Sequence, residues 1–287
     1  MFFFGLGANG KSVFAELIRY VVGDYGRIIA SDTLAESKRQ AGGASPDLAT
    51  LIGCRMALSN ETEDGASLAE SLVKSWTGGD TVTARKLYCE PFEFTPNFKL
   101  LMLGNHRPVV RGTDHGIWRR VRLIPFMKTF AEGEKDLHLL EKLKAETAHI
   151  LAWMVQGCLE WQHKGLSDVP EIVKAQTADY RAEQDVIGQW LGECTRSDRN
   201  AETDSGELYN CYRNWAIDSG LKPASKVSIG RRLTERGFYA SRRTSARYWV
   251  GIALNANKYT GFCHANGILH FSPKVVDTFD DKKWVTR

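Results

Sequence analysis

The sequence predicts an α/β fold with a phosphate-binding core, and three observations lead to that prediction. A glycine-rich loop at residues 5–12 joins a short apolar run to an amphipathic helical pattern at residues 13–22. Two further apolar runs, at residues 56–58 and 99–103, lead into polar residues. Parallel α/β sheets bind ligands where their buried strands end. These observations together place a ligand site at one edge of a parallel sheet.

Composition limits the class of protein. The chain has 287 residues, 43% of them apolar, which is enough for one or two globular domains. Its net charge of +4 permits a nucleic-acid partner without requiring one. Six scattered cysteines include no CxxC pair, which argues against a zinc site and suits a cytoplasmic protein. The sequence contains no apolar run of about 18 residues, so we expect no membrane partner.

The loop at residues 5–12 reads GLGANGKS and fits the pattern GxxxxGK(S/T). Its glycines let the backbone curl so that successive N–H groups face a phosphate. Lys11 is expected to reach the β- and γ-phosphates, and the Ser12 hydroxyl to bind Mg²⁺. The candidate ATP-binding residues are Gly5, Gly7, Asn9, Gly10, Lys11 and Ser12.

Two polar strand ends supply candidates for hydrolysis chemistry. Residues 56–58 lead to an acidic loop in which Glu61 is the first candidate for polarising a water and binding Mg²⁺, with Glu63 the second. The alternative is an ordinary polar loop after a strand. Residues 99–103 lead to Asn105, which could hold that water or sense the γ-phosphate, although asparagine also favours turns.

Two arginines precede the last apolar run of this region. Arg119 and Arg120 lie just before residues 123–126, which predict another strand. A guanidinium suits the charge that spreads over a transferring phosphoryl group, and a neighbouring subunit can supply it. Taken alone, the two arginines would be interpreted as surface charges.

The order of phosphate loop, acidic strand end, strand with asparagine, and late arginine resembles the superfamily III helicases of the AAA+ class. More specifically, the chain is similar to phage and plasmid primase–helicases and their poxvirus relatives. The similarity covers about residues 1–254. Further segments in the style of that family are residues 70–80, 83–85, 92–96, 104–108 and 118–120.

This resemblance implies an AAA+ ATPase core and roles for individual residues in it. Lys11 and Ser12 match the family's phosphate and Mg²⁺ residues. The acidic strand end, the sensor and the arginine finger of the family correspond to Glu61, Asn105, and Arg119 or Arg120. The family often has two adjacent acids, whereas the first position here is Asn60, so Glu63 could share the role of Glu61.

The resemblance also implies a ring, usually a hexamer, that holds ATP between subunits and moves along single-stranded DNA by a hairpin in its central channel. Residues 81–95 could form that hairpin. The candidates for contacts with DNA in the channel are Lys74, Arg85 and Lys86. The alternative is a peripheral hairpin whose charges are solvated.

The predicted ATPase core ends at residue 127, and residues 128–185 predict a helical layer, in which the aromatic side chains of the long helical pattern at residues 137–161 belong to the core. Residues 186–254 predict a winged-helix domain, because three helical patterns precede a hairpin within a stretch, 225–247, that carries seven basic residues and one acidic residue. The alternative is a protein-contact domain. Residues 255–287 have no predicted role, although residues 259–271 could form a small hairpin. Candidates for binding duplex DNA are Arg231, Arg232, Arg236, Arg242 and Arg243.

The predicted function is the ATP-dependent motor of a DNA helicase, as the C-terminal part of a primase–helicase of phage or plasmid replication. The family carries a primase domain upstream of this point, so we expect no primase activity in this chain. Two alternatives stay open: a DNA-binding regulator or loader whose ATPase is a switch, and an inactive, truncated remnant of a mobile element.

Overall fold

The structure is a computed structural model that describes residues 1–36, 45–60, 65–112, 115–243, 246–256 and 259. The chain divides into two compact units, Met1–Gln189 and Trp190–Arg287. Within the described residues, no helix is long and apolar enough to cross a membrane.

The first unit is a mixed α/β structure around a parallel sheet. Its strands are β1 (Phe2–Phe4), β2 (Gly26–Ile29), β3 (Met56–Ser59), β4 (Val82–Arg85), β5 (Pro91–Phe94), β6 (Lys99–Gly104) and β7 (Leu123–Pro125). Its helices are α1 (Lys11–Val22), α2 (Pro46–Ala49), α3 (Glu70–Gly78), α4 (His115–Trp118), α5 (Leu139–Ala145), α6 (Thr147–Lys164) and α7 (Glu171–Gln184). Five strands form the sheet in the order β2-β3-β6-β1-β7, and all neighbouring pairs are parallel. The predicted α/β class is therefore confirmed.

Strand β1 lies inside the sheet because its three phenylalanines cover both faces. Phe2 is buried in one core cluster together with Trp76, and Phe4 packs against the same cluster. Phe3 points to the opposite face and is buried with Ala15 of α1. Successive side chains of a strand alternate between faces, so a run of three apolar residues is what a strand covered on both sides requires.

Helix α3 contributes its apolar side to the larger core cluster. Leu68 and Trp76 are buried, and Leu72 packs against the cluster, which confirms the prediction that these residues form core. The Trp76 ring meets the Phe98 ring edge-on, with the centroids 5.6 Å apart. This geometry is favourable for aromatic pairs, so Trp76 ties α3 to the chain that leads into β6.

Strands β4 and β5 form an antiparallel hairpin of their own, paired from Val82 with Phe94 to Arg85 with Pro91. Val82 and Ala84 are buried, whereas Arg85 is exposed. The hairpin predicted for residues 81–95 is therefore confirmed as local structure, while its place in a ring stays a prediction.

The prediction that the aromatic side chains of residues 137–161 belong to the core is wrong. Helix α6 contains no buried residue, and Trp153 and Trp161 are 62% and 48% exposed. Its apolar residues are spread around the helix instead of forming one stripe, so no single face can be buried against the sheet. The helix contacts α1, but most of its apolar surface stays open.

The second unit takes in the end of α8 (Val186–Cys194), and its described residues form three strands and two more helices. These are β8 (Thr195–Asp204), α9 (Ser205–Asp218), α10 (Lys226–Glu235), β9 (Tyr239–Arg243) and β10 (Ala246–Leu254). The strands form an antiparallel sheet in the order β8-β10-β9. Its core is built on aromatic rings, of which Trp190 and Tyr212 meet edge-on at 5.3 Å.

Strand β8 was not predicted, because its sequence TRSDRNAETD lacks the apolar alternation that marks a half-buried strand. Only Thr195 and Thr203, near its two ends, are buried. The strand is held by its pairing with β10, which is a long-range property that local sequence does not encode. The predicted small hairpin at residues 259–271 lies outside the described residues apart from Tyr259.

Two tryptophans test this division between core and surface. Trp76→Ala should lower the free energy of unfolding by about 3–5 kcal/mol, because it empties a fully buried site. Trp153→Ala is the matched control and should change it by less than about 0.5 kcal/mol. Urea unfolding followed by circular dichroism measures both, and the reverse ranking would contradict the packing described for α3 and α6.

Candidate nucleotide site

The phosphate loop follows β1 at the carboxyl edge of the parallel sheet. Gly7 and Gly10 have φ angles of 102° and 83°, and Ala8 between them has a φ of 45°. Residues other than glycine seldom adopt such angles, so the loop is wound into a conformation that the two glycines make accessible. The predicted loop residues are thus brought together between β1 and α1.

Neighbouring atoms approach the backbone at residue 5 so closely that only glycine fits there. A Cβ atom at this position would lie 2.2 Å from Nδ2 of Asn9 and 2.5 Å from the carbonyl oxygen of Phe126. The Asn9 amide also donates to that carbonyl at 3.4 Å. The segment after β7 is bonded to the loop again where Phe130 N donates to the Ala8 carbonyl at 2.8 Å. Two contacts with the segment after β7 therefore hold the loop in place.

Lys11 is a buried cation at the start of α1, with only 4% of its surface exposed. Its ammonium group donates to the Gly5 carbonyl at 2.7 Å and to Oδ1 of Asn9 at 3.2 Å. It also donates to Oδ1 of Asn105 at 2.9 Å. Burying an ammonium group is costly unless polar partners surround it, and these three oxygens are among the partners of Lys11. The ammonium group is therefore held against the phosphate loop and beside the end of β6.

Asn105 reaches Lys11 because of strand order. Strand β6 pairs with β1, and Gly104 lies beside Phe4 in the register of the two strands. The residue after each strand consequently leaves the sheet at the same edge. Sequence placed both residues at that edge, and the structure adds that their side chains are in direct contact.

Helix α1 offers further groups to an anion. Gly10 is its N-cap residue and has no side chain that could cap this end, and the Lys11 N–H donates to Oδ1 of Asn9 at 3.4 Å. The first N–H groups of a helix lack acceptors inside the helix and carry a partial positive charge. Ser12 lies in this turn and is exposed. The phosphates and Mg²⁺ of a nucleotide fit this set of groups, which comprises backbone N–H donors, the Lys11 ammonium group and the exposed Ser12 hydroxyl.

Glu61 and Glu63 lie outside the described residues. The strand that precedes them, β3, pairs with β6 up to Ser59 beside Met102, so it ends at the edge that carries the loop. Asn60, the next residue, is exposed. No cluster of three or more His, Cys, Asp and Glu that could hold a metal occurs among the described residues.

Arg119 and Arg120 lie at the opposite edge of the same sheet. They precede β7, which runs parallel to β1, and Phe2 N donates to the Arg122 carbonyl at 2.8 Å where the two strands begin. The structure therefore does not bring these arginines to the loop of their own chain. Arg119 is exposed, whereas Nη1 of Arg120 donates to the Gly116 carbonyl at 2.6 Å.

Sequence reasoning missed Arg107, which links the site to α7. Its guanidinium lies over the Phe4 ring, 4.6 Å from the centroid, and donates to Glu183 at 2.6 Å. Nearby, Tyr180 of α7 donates to the Pro108 carbonyl, and burial raises the pKa of its hydroxyl above the ordinary value. The position of Arg107 two residues after Asn105 was visible in the sequence, but nothing there indicated its partners on α7.

The candidate DNA-binding residues of the first unit are scattered. The Nζ atom of Lys74 on α3 lies 3.9 Å from Oε2 of Glu70. Arg85 and Lys86 are exposed at the end of the β4–β5 hairpin. Exposed basic groups at a projecting tip suit phosphate contacts better than a paired lysine on a helix does.

The basic candidates of the second unit lie on α10 and on β9. Arg231 is highly exposed, and its Nε lies 3.8 Å from Oε1 of Glu235. Arg232 on the same helix and Arg236, the C-cap residue of that helix, are partly buried. On β9, Arg242 lies opposite Arg247 of β10. Arg243 donates to Glu202 of β8 at 2.9 Å.

The chain is similar in sequence to several viral proteins. Residues 3–120 match DUF5906, a family of unknown function. A putative helicase of Acanthamoeba polyphaga mimivirus is 33% identical over 230 residues, which cover 74% of this chain and 24% of that protein. For a putative helicase of Frog virus 3 the identity is 30% over 233 residues, covering 75% and 24%. A putative primase of African swine fever virus is 23% identical over 233 residues, covering 74% and 24%. These similarities relate the chain to proteins of large DNA viruses that are named as putative helicases or putative primases.

This similarity to putative helicases and primases confirms the predicted resemblance. The chain spans about a quarter of the length of these viral relatives. Among solved structures, the apo form of the NrS-1 C-terminal region shares 13% identity with this chain, covers 82% of it and 48% of the other, and gives a TM-score of 0.41.

A glycine substitution tests the geometry of the phosphate loop. Gly5→Ala should weaken ATP binding by about 10-fold or more, because the new methyl group overlaps Asn9 and the Phe126 carbonyl and must displace the loop. Titration with a fluorescent ATP analogue measures the affinity. Gly157→Ala on α6 is the control, since a methyl group there meets no atom within 4 Å. Equal affinities for the two variants would contradict the close packing of the loop.

Proposed function

We propose that this chain is the ATP-hydrolysing motor of a DNA helicase that acts in replication of the viral, phage or plasmid kind. The observation that carries the proposal is the buried Lys11 ammonium group, held between the loop oxygens and Asn105 at the carboxyl edge of the sheet. The similarity to viral proteins named as helicases and primases supports the same function.

In this proposal the Lys11 ammonium exchanges its contacts with Gly5, Asn9 and Asn105 for the β- and γ-phosphates of ATP. The amide of Asn105 is then released to orient the attacking water. The water oxygen bonds to the γ-phosphorus while the bond to the β,γ-bridging oxygen breaks and ADP leaves, and Glu61 accepts a proton from the water. Mg²⁺, held through Ser12 and Glu61, would neutralise charge on the phosphates. The loop N–H groups and the N-terminus of α1 stabilise the same charge.

A second proposal concerns the arginine finger. We assign this role to Arg119, which acts on the ATP bound to a neighbouring chain. Arg119 is exposed, and Arg120 is engaged by the Gly116 carbonyl of its own chain. Arg119 also lines a cavity of about 560 Å³ together with Arg122, Lys174 and Arg181. The described residues that line this cavity carry four positive charges and no negative charge, which favours an incoming polyphosphate.

We also propose that DNA is bound in two places. The β4–β5 hairpin holds the backbone of single-stranded DNA through Arg85 and Lys86, in the channel of a ring that we take to be hexameric. The second unit acts as a winged-helix domain, with α10 and the β9–β10 hairpin toward duplex DNA. This is supported by the order of helix, strand, two helices and hairpin from α8 to β10, and by the exposed Arg231, Arg242 and Arg243.

ATP hydrolysis with and without single-stranded DNA tests the motor function. Wild-type protein at low salt should hydrolyse ATP faster when DNA is present. Lys11→Ala should lower kcat by about 100-fold or more, and Asn105→Ala by about 10-fold or more, because each removes a group aimed at the phosphates.

The matched control is Asn97→Ala, an exposed asparagine that precedes β6 at the other edge of the sheet. It should hydrolyse ATP like the wild type. Normal turnover by Lys11→Ala would end the proposal, and DNA-independent turnover by the wild type would favour a switch-type ATPase over a motor.

Mixing two inactive variants tests whether the arginine acts from a neighbouring chain. Lys11→Ala and Arg119→Ala should each be inactive alone. A mixture should recover about a quarter of wild-type activity, since that share of random interfaces combines an intact loop with an intact arginine. Mixing Lys11→Ala with Arg120→Ala gives the comparison for Arg120. Normal activity of Arg119→Ala alone, together with an inactive Arg120→Ala that recovers activity when mixed with Lys11→Ala, would move the finger to Arg120.

A further inference from the structure

The tip of the β4–β5 hairpin carries an aromatic side chain that contributes nothing to the core. Tyr88 is 95% exposed, and its neighbour Leu87 is 59% exposed. Among the exposed large hydrophobic residues that the structure describes, none has a higher exposure than Tyr88. Leaving an aromatic ring in water forfeits the burial that ordinarily stabilises it, so the fold gains little from a tyrosine at this position.

The backbone at Tyr88 also disfavours a tyrosine. Cys89 N donates to the Lys86 carbonyl at 3.2 Å, which closes a four-residue turn with Leu87 and Tyr88 as its central residues. Tyr88 has a φ of 60°. The third position of a turn with positive φ favours glycine or asparagine, because other side chains are crowded there. The turn would form more easily with glycine, and strain of this kind concentrates at functional sites.

The base of the hairpin holds this tip in a fixed place. Val82 and Ala84 are buried in the core of the first unit. Ser45 and Arg85 are joined by two hydrogen bonds, from Ser45 N to the Arg85 carbonyl at 2.9 Å and from Arg85 N to the Ser45 hydroxyl at 3.0 Å. The Arg85 side chain donates from Nε to the Cys89 carbonyl at 3.0 Å. A braced turn therefore presents its two apolar side chains to solvent.

The charges around Tyr88 suit an anionic chain. Arg85 and Lys86 precede it and are exposed, and Glu90 follows it, which leaves the segment 85–90 with a balance of one positive charge. A cation next to an open aromatic ring is the combination by which proteins hold single-stranded nucleic acid: the cation contacts phosphate, and the ring stacks on a base.

We propose that Tyr88 is a base-stacking residue, whose ring packs on a nucleobase of single-stranded DNA while Arg85 and Lys86 contact the adjoining phosphates. This inference rests on the proposed motor function and deepens it. The stacking contact of Tyr88 depends on the presence of a base, whereas the contacts of Arg85 and Lys86 depend on the charge of the DNA backbone alone.

The test separates base contacts from phosphate contacts. Fluorescence anisotropy with the full chain measures affinity for an oligothymidylate of about 20 nucleotides and for a strand of equal length built from abasic sites. Wild-type protein should bind the first strand more tightly. Tyr88→Gly should weaken binding to oligothymidylate by about 10-fold and leave binding to the abasic strand unchanged.

Tyr88→Gly is chosen because the turn favours glycine at this φ. Its midpoint of thermal unfolding should equal or exceed that of the wild type, so weaker binding cannot be ascribed to misfolding. Tyr88→Phe keeps the ring and should retain wild-type affinity. Tyr25→Ala, which removes another exposed aromatic ring from the first unit, should leave both affinities unchanged.

The outcomes separate this inference from the proposed function. If wild-type protein binds neither strand, the proposed motor function itself fails. If it binds both and Tyr88→Gly lowers the two affinities equally or not at all, the motor survives and the stacking role is refuted. If Tyr88→Gly instead shifts the oligomeric state measured by light scattering, with DNA affinity unchanged, the ring packs against another copy of the chain, and the inference is likewise overturned.

Discussion

The parallel pairing of β1 with β6 on one side and β7 on the other is the constraint on which the candidate site depends. It places the phosphate loop between the ends of two neighbouring strands, so that Asn105 reaches the loop lysine from one side and the Phe126 carbonyl meets Asn9 from the other. The three phenylalanines make this arrangement stable, because they bury the strand on both faces. A polar residue at Phe2 or Phe3 would disturb the core and the loop together.

Much of this arrangement could be predicted from the sequence because the signals are local. The loop motif specifies backbone angles and a following helix, and short apolar runs specify buried strands. Residues that leave parallel strands at their carboxyl ends share one edge, so Asn105 could be placed near Lys11 without coordinates. The contact between their side chains could not be predicted, since it depends on which strands are neighbours.

The features that sequence did not predict are those decided by distant partners. Strand β8 is polar and exists through its pairing with β10. Arg107 is positioned by Glu183, 76 residues away along the chain. The error at α6 has a related cause, because apolar content was taken to mean burial. Trp153 is an apolar residue on a helix that is apolar on several sides, and such a helix need not have a covered face in a single chain.

The separation of Lys11 and Arg119 to opposite edges of one sheet has a geometric consequence for assembly. Under the role that we propose for Arg119, two chains related by a twofold axis cannot complete each other's sites at once, because the two surfaces face away from one another. Chains that do so must follow head to tail, and such a series closes into a ring or continues as an open helical array. An open array always leaves one loop and one arginine without a partner at its ends. Closure therefore creates one more complete site without adding a chain.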